Sequence, residues 1–583
     1  MNKAALHLAL TMFGLMALPP VTANERPDRS RSKEPGIQLT SEHMEAVNRQ
    51  RRIIFQDDVM CSNMPFTMER VGPSQLEETI AYYMARLDAE PNQIDSVWHE
   101  WGEGNIAAWP SKVLSPPPPG YFQQWWEAGI DPVRLLLDEC RKRSREVFFS
   151  YRINGSDNEY FQEQGTVTLP PMKAEHPDWL IKAWHRYGYW NFANPEVRDY
   201  RVRILREVAE NYDFDGISID FARVPILLPA GEQWLRRDSI TDFMRQLRLT
   251  LLEIEEQRGR PLLLAARVPE NLMGCHFDGL DVETWARERL VDIFVPGCRS
   301  SDVDVAAFHR ITAGAGIKVY PSFDDHHSSD GYYEPSVEVW RGVFANWWSQ
   351  GAEGAHTFNL VFSSPEAAAK LDLPKWAHAD HWQRQWQIWQ EIGNPETLKH
   401  KDKIFYVQRR GGGHGPRVVP NPEDWNTPRH MYFNTNMFAP LPATLANNGK
   451  SDTLLTLNVA DDVSADAKHV QAITLHLVLS DPAADGLPEA KRIQPVTVAT
   501  KAHPGGRLLN SPPANGIDEH IEVRINNLLL SLARIEKGWL AFPVEPQQLA
   551  VGDNLVGVRV TERPTDAEAE ISIEKLELHV DYR

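Results

Sequence analysis

The stretch Phe214-Asp215-Gly216-Ile217-Ser218-Ile219-Asp220-Phe221-Ala222-Arg223 constrains the fold more than any other part of this chain. Ile217 and Ile219 alternate with small or polar residues, an Asp-Gly turn precedes them, and an amphipathic segment from Pro195 to Tyr212 precedes the turn. Helix, tight turn and strand in that order place Asp220 and Arg223 at the C-terminal end of a strand. In a (β/α)8 barrel that end carries the active site, whereas the opposite end mostly carries stability. The alternative is a structural ion pair capping the strand, since ion-pair networks also engage carboxylates.

The same alternation runs through the first two thirds of the chain. Strand patterns fall at 52–59, 94–99, 147–153, 262–268, 291–295, 317–323 and 355–360, and helical patterns at 132–143, 197–212, 239–258, 282–289, 303–314 and 336–350. With the strand ending at Asp220 this predicts eight strands with intervening helices, an α/β fold whose economical closure is a (β/α)8 TIM barrel over residues 46–400, ended by a helix at 377–392. An open doubly wound sheet is the alternative, but no Gly-x-Gly-x-x-Gly turn follows any of the strands. From Ile404 onward short alternating strands separated by Pro, Gly, Asp and Asn predict an all-β accessory domain, a sandwich over 401–583. Arg524 to Leu528, Trp539 to Pro543 and Val551 to Val558 resemble galactose-binding-like jelly-roll modules. Such a module either binds carbohydrate or braces the barrel.

Residues 1–23 read as a signal peptide: Lys3, an apolar run from Ala4 to Leu18, and the small-residue site Val21-Thr22-Ala23. This predicts a secreted or periplasmic protein with no membrane span, since the apolar run falls short of the ~20 residues a span needs and is broken by Pro19 and Pro20. Residues 24–45 are charged and poor in large apolar side chains, the pattern of a flexible linker. A net charge of −19 opposes binding to nucleic acid or anionic lipid. Cys61, Cys140, Cys275 and Cys298 form no Cys-x-x-Cys pair and read as small buried apolar residues, with room for one disulfide in an oxidising compartment. The 19 tryptophans suit a saccharide, whose apolar faces stack on aromatic rings, or else fill the core. Trp125, Trp126, Trp347 and Trp348 are expected in core or rim packing; Trp98, Trp101, Trp179, Trp184 and Trp190 fall in loops or at strand ends, where core and substrate contact are both open.

Collected at one face, the strand ends supply His99, Glu100, Trp101, Arg152, Asn154, Asp220, Arg223, Arg267, Glu270, Arg299, Asp302, Asp324, Asp325, His326, His327 and Asn359. Glycoside hydrolysis needs two carboxyls about the scissile bond, one ionised and one protonated, and several pairs here meet that demand. Asp220 beside Arg223 or Arg267 is expected to stay a carboxylate; Glu270, after Pro269 at an apolar strand end, is the expected acid, with Asp324 or Glu100 in its place if Glu270 caps the next turn. Asp324-Asp325-His326-His327 also contains metal-ligand residue types, but neighbours on an extended segment point apart, so no metal or other cofactor is expected.

Asn191-Phe-Ala-Asn-Pro-Glu-Val-Arg-Asp-Tyr200, the Tyr212 to Arg223 block and Phe148-Phe-Ser-Tyr-Arg-Ile-Asn154 resemble the family 10-like glycosyl hydrolases. The resemblance covers roughly residues 50 to 400 and implies a TIM-barrel glycosidase. Where many relatives carry a second acid directly after the Asp of this strand, the chain has Phe221 and Ala222. The placement of carboxylates is also similar to that of the α-amylase clan, which would make Asp220, Glu270 and Asp325 nucleophile, acid/base and stabiliser. The resulting expectation is a hydrolase of glycosidic bonds in a poly- or oligosaccharide, with Asp220, Glu270, Asp324 and Asp325 catalytic. His99, Glu100, Trp101, Arg152, Asn154, Arg223, Arg267, His326 and Asn359 would bind substrate. The four strand-end arginines, Arg152, Arg223, Arg267 and Arg299, either grip an acidic glycan or neutralise the carboxylates. Two rivals stand beside this: a non-catalytic carbohydrate-binding protein, and a metal-dependent hydrolase of an ester or amide.

Overall fold

A computed structural model describes residues 37–57, 71–103, 106–114, 122–155, 171–182, 188–325, 330–332, 334–373, 379–410, 438–446, 449–480, 520–536, 539–562 and 570–583. The expected signal peptide, Cys61, Trp184, His326 and His327 lie outside the described residues.

The principal strands of the first region are β1 (Ile53–Asp57), β2 (Ile94–Glu103), β3 (Glu146–Arg152), β4 (Gly216–Asp220), β5 (Leu263–Val268), β6 (Ile293–Pro296), β7 (Lys318–Val319), β8 (Ser322–Asp324) and β9 (Ala355–Phe358). They pair in parallel, in the order β7-β6-β5-β4-β3-β2-β1-β9-β8, as one curled sheet. The first and last strands of that order are separated in sequence only by Tyr320 and Pro321. Tyr320 N donates to Phe294 O at 2.9 Å on one side, and His356 N donates to Pro321 O at 3.1 Å on the other. The single strand expected over 317–323 is thus interrupted where it passes between neighbours, at a proline that has no N–H to give a ladder.

Helix α1 (Ser41–Asn48) precedes the first strand; α2 (Leu76–Asp88), α3 (Pro132–Lys142), α4 (Pro195–Asn211), α5 (Arg237–Arg258), α6 (Val282–Glu288), α7 (Val305–Thr312) and α8 (Val337–Ser349) lie between strands, and α9 (Ala379–Glu391) follows the last. Helix α4 begins where Asn194 accepts a hydrogen bond from Glu196 N and Pro195 fills the first turn, because proline's missing N–H costs nothing there. Helix α1 corrects the expected linker, which it enters at Ser41: Thr40 accepts from His43 N, a capping signal the charged composition obscured. No described helix is long and apolar enough to cross a membrane.

Paired residues in a parallel sheet face the same side. Gly216 lies opposite Phe148, whose ring occupies the space a Cβ would need, at 2.4 Å. Phe148 in turn stacks on Trp98 at 4.6 Å between centroids. Ile54, Trp98, Phe148, Leu263, Ala265, Ile293, Val295 and Tyr320 fill the concave side with Val47 of α1. One layer above, Gln56 donates to Ser150 Oγ at 3.0 Å and pairs with His356, which pairs with Ser322.

Beyond α9 the described strands pair antiparallel. Lys403–Tyr406 (β10), Val470–Ser480, Trp539–Pro543, Arg534–Glu536, Ala443–Thr444 and Ser572–Tyr582 make one sheet; Thr453–Val459, Ile521–Ile525, Leu528–Leu530 and Gly552–Val560 make another. Strand β10 presses on α8, where a Cβ on Gly342 would lie 2.1 Å from Ile404 O. From Leu39 onward the chain is one compact unit.

Candidate active site

The alternation that faces Gly216 inward also brings Glu100, Arg152, Asp220, Arg267 and Asp324 to the concave side at the C-terminal strand ends, and all are buried. The Arg267 guanidinium donates to Asp220 Oδ2 at 3.0 Å and to Gly297 O at 3.2 Å; the backbone N–H of Arg223 donates to the other Asp220 oxygen at 2.8 Å. Arg267 lies 4.2 Å over the Phe358 ring and Arg152 lies 5.9 Å from it. Asp324 accepts from Asn359 Nδ2 at 3.0 Å and pairs with Arg299 at 3.3 Å. Both of these partners hold left-handed backbones, Arg299 at φ 60° and Asn359 at φ 61°. Such conformations cost non-glycine residues about 1 kcal/mol or more, so two of them converging on one carboxylate mark a position the fold constrains at some expense.

A second group of acids stands beside these pairs. Asp302 is exposed to solvent; desolvation by the neighbouring protein first, and the negative charge of Glu270 second, push its carboxyl up to about 7. Asp278, deeply buried, is raised well above the usual carboxylate range by burial and by the same Glu270. Glu270 itself is buried and binds Asp304 N through its backbone carbonyl at 3.0 Å. The mouth therefore contains carboxylates paired with guanidinium and, within the same set of loops, a carboxyl that keeps its proton to neutral pH.

Not every residue expected here joins the site. Asp325 faces away from Asp324 and is gripped by Arg384 of α9 through both oxygens, at 2.9 and 2.6 Å; its expected stabilising role is replaced by a structural tie. Asn154 is also corrected: its amide donates to Trp190 O and Ile226 O and accepts from Trp190 N, pinning two backbone segments rather than meeting a substrate. His99 alternates with the inward residues and edges onto Trp101 at 5.6 Å; burial, then the positive Arg86, lower it to about 3, so it is neutral. Trp98, Trp101 and Trp190 are core residues, as are Trp125 and Trp347, whereas Trp179 is half buried and stacks on His176 at 3.9 Å. Cys140, Cys275 and Cys298 are buried free thiols. Asp302 was legible as a strand-end acid, but its selection depends on the neighbouring Glu270, which only the fold supplies.

A family model described as glycosyl hydrolase-like 10 matches residues 73–225, the span that includes β2, β3, β4 and Asp220. The resemblance read from the sequence is borne out there. Glycosyl hydrolase DigH of Escherichia coli K12 is 29% identical over 136 residues, 22% of this chain and 30% of that protein. Glycosyl hydrolase YngK of Bacillus subtilis is 28% identical over 149 residues, 21% of this chain and 28% of that protein. The chain thus spans less than a third of the length of the curated relatives it matches. Among solved structures it is similar to the glycoside hydrolase domain of PgaB (BpsB) from Bordetella bronchiseptica, with 13% identity, a TM-score of 0.38, and coverage of 56% of this chain and 99% of that one. The sequence matches support a glycosidase-type function.

Proposed function

We propose that this protein is a glycoside hydrolase acting on a poly- or oligosaccharide at the C-terminal strand ends of a (β/α)8 barrel spanning residues 46–400, with residues 401–583 forming a jelly-roll-like β-sandwich beside it. The observation that carries the reading is the division of carboxyls within one mouth. Asp220 is hydrogen-bonded to the Arg267 guanidinium, while Asp302 is held protonated up to about pH 7 and reaches solvent. A carboxyl that keeps its proton near neutral pH suits the acid, and a second one hydrogen-bonded to a guanidinium suits the base or nucleophile. Asp302 gives its proton to the glycosidic oxygen as the bond from that oxygen to the anomeric carbon breaks. Asp220 supplies the negative charge that attacks that carbon or takes a proton from attacking water. The buried Glu270 acts through Asp302, and the Asp324 carboxylate, aimed by Arg299 and Asn359, stabilises positive charge developing on the sugar ring.

Reducing-end release from cello-, xylo- and chito-oligosaccharides and from alginate and hyaluronan oligosaccharides, with wild type, Asp220→Asn and Asp302→Asn side by side, tests this. Loss of release in both variants, with unchanged thermal unfolding, supports the assignment and identifies the sugar class. Release that survives Asp220→Asn refutes it.

A further inference from the structure

The loop that carries Asp302 is held from outside the parallel sheet. Two residues beyond β10, Gln408 is 1% exposed and its amide is saturated. Oε1 accepts from Ser301 N and from Ser301 Oγ, both at 2.8 Å. Nε2 donates to Asp330 Oδ2 at 3.0 Å and to Arg409 O at 2.8 Å. A carboxamide offers two donors and two acceptor sites, so this one side chain is fully used and its rotation fixed. Trp347 Nε1 donates to Ser301 O at 3.2 Å and holds the same residue from α8. Ser301 adjoins Asp302 in sequence and follows the left-handed Arg299 by two residues.

Gln408 is itself anchored by the antiparallel sheet. Val407 N donates to Leu576 O at 3.1 Å. From the same strand, Ser572–Tyr582, Lys575 donates to Gly331 O at 2.7 Å and Glu577 accepts from Tyr332 OH at 2.9 Å. The Tyr332 ring stacks on Tyr406 of β10 at 3.9 Å. The C-terminal region therefore grips together the loop after β6, which carries the proposed acid, and the loop after β8, which brings Asp330 beside it.

We propose that Gln408 is a positioning residue for Asp302, so that the C-terminal antiparallel region completes the active site rather than only bracing the sheet. This rests on the reading of Asp302 as the acid. Charged and titratable groups facing Asp302 come from three elements: Glu270 after β5, Asp330 after β8 and Tyr406 of β10. A change at Gln408 alters both the aim of Asp302 and the charge beside it.

The test uses the full chain and whichever oligosaccharide of the panel above is cleaved fastest. Gln408→Ala frees Ser301 and is expected to lower kcat roughly tenfold to a hundredfold, with KM changed by less than about twofold. Gln408→Glu keeps an acceptor for Ser301 but adds negative charge, so the Asp302 proton is held more tightly and the alkaline limb of kcat/KM moves up by about half a pH unit or more. If Gln408→Ala does not fold, Ser301→Ala, which removes one of the four bonds, is expected to lower kcat in the same direction by less. Folded variants whose rates and pH profiles superimpose on wild type, in a protein that Asp302→Asn inactivates, overturn the role of Gln408 alone. An Asp302→Asn variant with the wild-type rate overturns the acid assignment and this inference with it.

Discussion

Buried charge at the N-terminal end of the sheet leads to a stability prediction with a definite sign. His43 of α1 is fully buried, with Nδ1 2.7 Å from Glu255 Oε2 and Nε2 2.9 Å from Asp292 Oδ1. Carboxylates only accept, so both ring nitrogens must donate, and the ring is an imidazolium. Burial on its own would lower its pKa, but the hydrogen bonds to Asp292 and Glu255 outweigh it and raise the group from 6.5 to about 9. At about 1.4 kcal/mol for each factor of ten in proton affinity, this is about 3 kcal/mol of folding stability. Because the folded-state value is the higher one, the contribution is complete below pH 6.5 and is lost as pH rises through 9. Urea unfolding followed by tryptophan fluorescence at pH 6 and pH 9.5, for wild type and His43→Gln, measures it. The variant should be less stable at pH 6 by about 3 kcal/mol more than it is at pH 9.5. Groups common to both proteins that titrate in the same window cancel in that double difference. A stability loss of equal size at the two pH values would falsify the imidazolium assignment. The kcat/KM of the folded variant at pH 6 should match wild type, since this end of the sheet lies opposite the site.

Three further outcomes are expected. Glu270→Gln removes the like charge beside Asp302, so the alkaline limb of the pH profile should move below about 7; a limb that stays in place removes Glu270 from the site's electrostatics. Asn359→Gly keeps the left-handed backbone but loses the bond to Asp324, whereas Asn359→Ala loses both. Each should lower kcat, and only Ala should cost an added ~1 kcal/mol in unfolding. Gly216→Ala sets a methyl against the Phe148 ring, itself stacked on Trp98, and should cost about 1–3 kcal/mol in thermal unfolding, with intact kcat/KM below the transition.

Much of the parallel region was legible because its periodicity and its local signals agree. Asn194-Pro195-Glu196 marks the start of α4, and the Asp304 cap, which accepts from Ala307 N, sets the start of α7 two residues after the expected Val303. The β4 sequence was read as a strand ending at Asp220 and is one. What stayed hidden depended on register and on distant partners. Asp324 and Asp325 are chemically alike, and only the pairing of Asp324 with Phe358 decides which faces inward. Asn154 looked like a sugar ligand because the backbone groups that saturate it belong to Trp190 and Ile226, 36 and 72 residues away. Gln408 carried no signal at all, since its partner Ser301 is 107 residues distant.

The two ends of the sheet differ in how their most deeply buried acids are paired, and that difference bears on the proposed site independently of any resemblance. At the N-terminal end each buried acid meets its full complement of donors. Glu146 takes two bonds of 2.7 Å from Arg51, and Asp292 takes two from Arg248 as well as one from His43. Desolvation opposes ionisation of Asp292, but Arg248 and His43 hold it far below the usual carboxylate range. At the C-terminal end Asp220, Asp324 and Asp325 also meet guanidinium groups, but other acids stand beside acids. Asp302 and Asp278 are raised by burial and Glu270, and Glu334 is pushed up to about 7 by burial and Asp325. A fold selected only for stability has no use for protons retained on carboxyls in that crowded mouth, because replacing one acid with an amide would relieve the repulsion. On the reading proposed above, protons kept on carboxyls where the strands end serve acid catalysis at near-neutral pH.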